Sequence, residues 1–263
     1  MASTTMALNL AGIVPVGHRD LNADDNVLQH KGGTYAFMVD AFGIRLFRYG
    51  QNRSTAMNVG VLASRVGDNN GATSAGTLVA PFNLTSVGTS SLTADKHNGS
   101  VFYVTDDAGA AGAAPEGETS IVVKNTATLI TLDPGMPLST ILATSDTASM
   151  LGTYNIEACA SGDLTWVMFG IVMAKDGLSA ANAGWCQSWG LCPNAIADTA
   201  AVTIAEPLVA GTGTIITNTS STAANTIAGF APIGAAADLA SPFKTLVFLT
   251  LDFGILPGPA AIT

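Results

Sequence analysis

The side chains able to do chemistry are sparse in this chain and poorly grouped. The cysteines, Cys159, Cys186 and Cys192, contain no C-x-x-C pair, and the histidines, His18, His30 and His97, all precede residue 100. A zinc site needs several such ligands brought together, and this spacing gives no signature of one. Buried free thiols are the expected state of the cysteines; a Cys186–Cys192 bridge would require the two side chains to converge. Phosphate-cradling G-x-x-x-x-G-K-[ST] does not occur, and no G-x-G-x-x-G follows a predicted strand. H-E-x-x-H and G-x-S-x-G are also missing, while the single S-x-x-K, at Ser241, contains Pro242 and opens a predicted strand instead of a helix. A Ser/His/carboxylate triad converges only in space, but each histidine sits among polar, turn-like residues, where a solvated surface histidine is expected. Asp68-Asn69-Asn70-Gly71 and Asp106-Asp107 resemble fragments of a calcium loop. The first lacks the closing Glu, so turn chemistry is the expected reading of both. Paired carboxylates for sugar cleavage would come with aromatic platforms, and 3 Trp with 4 Tyr is a thin supply. The expectation is a protein that is not an enzyme, with no cofactor and no resident metal.

Two groups remain as candidate interface residues. Arg45, Arg48, Arg53 and Arg65 form the one local basic cluster, read as solvent-facing strand positions or as charges complementary to an acidic neighbour. The segment from Gly184 to Pro193 (GWCQSWGLCP) places Trp185, Gln187 and Trp189 between glycines. It is read as a strand and turn whose indoles fill the core, or as an aromatic anchor between subunits.

The elements that would position these residues are short strands. Only 11% of the 263 residues are charged, and the 30 threonines outnumber the 29 Asp, Glu, Lys and Arg together, which disfavours long helices and charge-rich tails. Residues 1–100 hold seven basic and six acidic side chains, whereas 101–263 hold three and thirteen. The acidic excess repels phosphate, so direct nucleic-acid binding is not expected. The longest apolar runs, at 164–174 and 246–256, are about half of the ~20 residues a membrane helix needs, so membrane spanning is not expected either. The apolar start of the chain has no preceding Lys or Arg, so no export signal is read and the protein is expected to be made in the cytoplasm.

Strand signals recur at 35–39, 44–49, 59–63, 77–80, 101–105, 120–123, 127–132, 152–156, 165–173, 201–204, 214–217 and 245–253. Turn-rich stretches at 66–76, 106–118 and 143–149 divide them, and 180–184 and 235–239 could each form one helical turn. In 44–49, Ile44, Leu46 and Arg48 share one face and Arg45, Phe47 and Tyr49 the other. In the last strand, Val247, Leu249, Leu251 and Phe253 alternate onto a core face. The expected fold is all-β, a compact sandwich or barrel-like domain with long loops. Residues 1–40 are expected to form an N-terminal arm, and 41–263 the β-rich domain, with a possible sub-domain boundary near 145–160.

The order of several pieces resembles the small β-rich proteins that decorate or cement the heads of tailed bacteriophages. These pieces are FRYG (47–50), a glycine-bounded segment (60–63), GIVMA (170–174), GWCQSWGLCP (184–193), AGFAPIGAAAD (228–238) and the final TLVFLTLDF (245–253). The resemblance covers about half the chain in scattered segments. It implies a virion structural protein without catalysis that binds the outside of an icosahedral capsid across neighbouring major capsid subunits. It also implies a homo-oligomer, commonly a trimer. A tail, spike or receptor-binding β-domain is the alternative, with a β-sandwich hydrolase more remote.

Overall fold

The computed structural model describes residues 13–15, 21–41, 43–72, 82–85, 92–106, 114–143, 146–159, 168–197, 207–210, 215–217, 227–230 and 243–251. Every named element is a strand, and all join one 15-stranded, mostly antiparallel sheet. The fold is all-β. In chain order the strands are β1 (Ile13–Pro15), β2 (Tyr35–Asp40), β3 (Gly43–Asn52), β4 (Leu62–Ala72), β5 (Phe82–Thr85), β6 (Val101–Asp106), β7 (Thr119–Asn125), β8 (Leu129–Leu132), β9 (Thr147–Ala158), β10 (Met168–Val172), β11 (Ala183–Ala197), β12 (Pro207–Ala210), β13 (Ile215–Thr217), β14 (Ile227–Phe230) and β15 (Phe243–Thr250).

The pairing closes on itself twice, giving a barrel-like architecture. β3 pairs with β11, β11 with β10, β10 with β4, β4 with β9, and β9 returns in parallel to β3. Closure removes exposed edges, and each strand turns alternate side chains inward. The inward cluster includes Ala63, Ile156, Phe169, Val172 and Cys186, so four of the five strands feed one core. Gly50 supplies the fifth wall, where a Cβ would come within 2.7 Å of the Phe169 ring. The second circuit runs β11, β15, β14, β12, β13 and back to β11.

β11 belongs to both circuits. Trp189 pairs with Leu46 of β3 and with Thr250 of β15, which puts those two strands on opposite edges of β11. Its 15 residues therefore join the circuits as one continuous strand, where the sequence suggested a strand and a turn.

β4 and β9 also run beyond the first circuit as an antiparallel pair, and the chain between them folds into a lobe. That lobe has its own core of Phe102, Val104, Val122, Ile130, Leu132 and Met150. The stretch from 66 to 72, expected as a turn, is the far half of β4, with an irregularity in register between Asp68 and Gly71. A long ladder to β9 outweighs the turn preference of Asp-Asn-Asn-Gly, and a bulge absorbs it. The expected turn at 143–149 likewise gives way to β9 from Thr147, a strand that continues to Ala158.

The expected N-terminal arm is, from residue 21, part of the body: Leu21, Ala36 and Met38 lie in the core, and β2 pairs with β3 along its whole length. Apolar residues at alternate positions of β2 gain more by burial there than as a free arm. Residues 180–182 form a turn leading into β11, not a helical turn. β5, β12 and β14 were not anticipated, while the expected strands at 77–80 and 201–204 and the helical turn at 235–239 lie outside the described residues.

Candidate assembly surface

β3 and β11 carry most of the candidate interface residues, and their register sorts them by face. Trp185 pairs with Tyr49 and Gln187 with Phe47, so these four side chains share one face of the sheet. Trp185 is 1% exposed, with its ring 5.0 Å from those of Tyr49 and His30. Residues 21–33 cross over this aromatic group. Asp25 makes backbone bonds with Ala183, the Tyr49 hydroxyl donates to Asp25 Oδ2 at 2.5 Å, and the Gln29 backbone N–H donates to the same hydroxyl oxygen. Burial, reinforced by the Asp25 hydrogen bond, holds the Tyr49 phenol well above its ordinary pKa.

Gln187 is fully buried and spends its amide on the backbone. Its Nε2 donates to the carbonyls of Trp189, Gly190 and Leu191 at 3.1, 3.3 and 3.1 Å, and its Oε1 accepts from Arg45 Nη1. The register with β3 shifts between Gln187 and Trp189, a β-bulge. Plain alternation would put Trp185, Gln187 and Trp189 on one face. The bulge instead turns Trp189 to the opposite face, beside Leu46. Gly190 makes this possible, since its φ of +86° suits glycine and a Cβ there would lie 2.4 Å from the Ile44 carbonyl oxygen.

The face that Trp189 joins is the one that carries Arg48 and Cys186, and beyond the first circuit it is apolar and partly exposed. Leu46 pairs with both Phe37 and Trp189, and Ile44 pairs with Val39, which sets these side chains side by side across β2, β3 and β11. Phe248 of β15 closes the row, its ring edge-on to Trp189 at 5.1 Å. Val39 is 67% exposed, Ile44 62% and Phe248 38%. Sequence alternation had grouped Ile44 with Leu46, but Phe37, Val39 and Phe248 were not singled out, because nothing local marks which strands become neighbours.

The basic cluster is not a solvent-facing patch. Arg45 is buried, ion-paired with Asp40 and in contact with Met38 Sδ and Gln187. Arg48 is buried on the other face, its guanidinium 5.2 Å from the Tyr35 ring centre and 5.8 Å from that of Phe169. A guanidinium is weakly hydrated and stacks on aromatic faces, so it enters such a site more readily than an ammonium would. Arg53 and Arg65 are half-buried, on β3's exit and on β4, and both meet Ile156 of β9 through the backbone. The structure thus joins Arg45 to Gln187, places Trp185 on the same face, and sets Trp189 apart.

The remaining chemistry-bearing groups are held inside. Cys159, Cys186 and Cys192 are buried free thiols; burial pushes Cys186 up to about 12 against the opposing pull of Arg48, and Cys192 up to about 11. His97 is 3% exposed, contrary to the expected surface position. The Asn125 side chain receives its backbone N–H, drawing the turn at 95–100 onto β7. Burial, with Lys96 adding to it, lowers its pKa to about 4. His30 packs on Tyr49 and Trp185, and His18 lies outside the described residues. Among the described residues no three His, Cys, Asp or Glu side chains gather as a metal site, and no helix is long and apolar enough to cross a membrane.

No family model, curated protein or solved structure matches this chain.

Proposed function

We propose that this chain is a structural virion protein that binds the outside of an icosahedral phage capsid and cements contacts between major capsid subunits. It acts as a homo-oligomer, in keeping with the trimers that the resemblance implies, and resides on the capsid surface after synthesis in the host cytoplasm. The observation that carries this reading is how the side chains are used. Ionic and amide groups such as Arg45, Asp40 and Gln187 are committed to holding strands together, while large apolar residues are left at the surface. Exposed apolar groups with polar surroundings mark surfaces made for contact. A protein that binds only the assembled shell stabilises it by mass action and needs no catalytic group or cofactor.

The test is co-sedimentation of the purified protein with empty, expanded heads of a tailed phage that encodes it. Saturation at a fixed ratio to the major capsid protein, with raised thermal resistance of the heads, is the expected result. Absence of binding to heads at any concentration would refute the cementing role.

A further inference from the structure

We propose that the turn at 95–100 is an acid-released latch between the lobe and the first circuit of strands, with His97 as its proton sensor. The inference concerns how the fold responds to pH and is independent of the capsid reading. The latch sits where the β4–β9 ladder is interrupted. Gly67 pairs with Leu151 and Arg65 with Ile156, so Val66 alone stands opposite the four residues from Gly152 to Asn155. Within this interruption Thr153 and Asn155 bond to the latch. Thr153 Oγ1 donates to the Gly99 carbonyl, and Asn155 Nδ2 donates to the carbonyls of Lys96 and Asn98. The Tyr154 ring between them lies against Gly99 of the latch and Gly32 of the body, where a Cβ would collide with it. On the lobe side the latch closes onto β7. The Gly99 N–H donates to the Val122 carbonyl, the Val122 N–H to the Ser100 carbonyl, the Asn125 N–H to Asn98 Oδ1 and the His97 N–H to Asn125 Oδ1.

His97 makes this joint sensitive to protons. It is 3% exposed, and its Nδ1 is buried with no hydrogen-bond partner among the described residues. The imidazolium carries a proton on both ring nitrogens, so proton uptake would put a charged N–H where no acceptor meets it. The charged groups on the packed elements bring no relief. Lys96, next to the ring, opposes a second positive charge and holds Glu157 of β9 at 2.8 Å; Asp95 is exposed and bonded to Asn98, and Lys124 of β7 is exposed. The protonated ring is therefore hydrated by lifting the turn. The opening is local because the joint is poorly satisfied. Ser100 Oγ and Asn155 Oδ1 are also buried there without partners among the described residues, so lifting the turn relieves two further desolvation costs while the strand circuits stay intact.

The experiment is native-state hydrogen exchange, read by NMR on the full chain from pH 7 to pH 4 at several low urea concentrations and corrected for the intrinsic exchange rate. The amides of Gly99, Val122 and Asn125 report the latch, and those of Cys159 and Val172, which bond to Leu62 and Val61 across the first circuit, report global unfolding. Opening returns the ring from a pKa of about 4 to its ordinary 6.5, so the latch opening constant should rise about 300-fold over this range. The latch amides should exchange faster than the circuit amides throughout and with little dependence on urea. His97→Gln should leave them protected at pH 7 and abolish the rise. Three results would overturn the proposal: latch amides that exchange at the rate and urea dependence of the circuit amides, latch opening that does not change with pH, or a rise that persists in His97→Gln. The first two are read on the native chain alone and decide the matter even if the variant does not fold.

Discussion

Replacing Gly190 with alanine is expected to destabilise the protein well beyond the same change at Gly43, and the comparison isolates one contact. Both glycines have nearly the same φ, +86° and +88°, so both substitutions force an L-residue into the left-handed region. That strain costs about 1–2 kcal/mol at either site. The surroundings differ: a Cβ at Gly43 meets nothing within 4 Å, whereas at Gly190 it lies 2.4 Å from the Ile44 carbonyl oxygen and 3.3 Å from Arg45 Cα. Both neighbours are backbone, which cannot rotate away, so overpacking adds about 1–3 kcal/mol. Gly43→Ala should therefore cost about 1–2 kcal/mol and Gly190→Ala about 2–5 kcal/mol. For a chain of this size the difference is a gap of roughly 5 °C in melting temperature. Thermal unfolding followed by circular dichroism, with urea titration as a second measure, reads it directly. Equal destabilisation of the two variants would refute the close approach of β11 to β3 and, with it, the bulge that turns Trp189 to the face of Leu46.

Three further outcomes follow from buried groups. Gln187→Ala withdraws the Nε2 donor shared by three carbonyls and the Oε1 acceptor of the Arg45 guanidinium, and should lower stability by about 2–4 kcal/mol in urea unfolding, with altered tryptophan fluorescence. His97 has a folded pKa near 4, below its unfolded value of 6.5, so below pH 6.5 the unfolded chain takes up a proton that the folded chain refuses. Stability from this group is thus complete above about pH 6.5 and falls by about 3 kcal/mol as the pH drops toward 4, and His97→Gln should flatten that part of the urea-midpoint profile. Finally, the thiols of Cys159, Cys186 and Cys192 should resist a disulfide-exchange reagent in the native protein and all react in denaturant, because all three are buried away from the reagent and burial also raises the pKa of Cys186 and Cys192. A rapid native reaction would contradict their placement.

Much of the strand content was legible from local pattern. The alternation in 44–49 separated Phe47 and Tyr49, which are fully buried, from Ile44 and Leu46, which reach the surface. The same rule assigned Val247 and Leu249 to the core face, where they are buried. Lys31, Gly32 and Gly33 form the turn their composition suggests, with the Thr34 amide donating to the Lys31 carbonyl. Strands of few residues with weak alternation, such as β5, β12 and β14, escaped because their stability comes from neighbours and not from their own propensity.

What the sequence by itself determined was the all-β class and the two faces of its clearest strands. Alternation has a period of two and is set by each strand's own covalent geometry, so no partner is needed to read it. Tertiary structure alone decided which strands became neighbours, and therefore which residues formed a site. Trp189 meets Leu46, 143 positions earlier, and Thr250, 61 positions later, and the bulge demanded by those two pairings reverses the face that alternation assigns to it. Burial of Arg45 and Arg48 has the same origin, because the Asp40 carboxylate and the Tyr35 and Phe169 rings that surround them arrive from other strands. A charged or polar side chain reads as surface from its neighbours in sequence, and only its neighbours in space compensate the cost of taking it out of water.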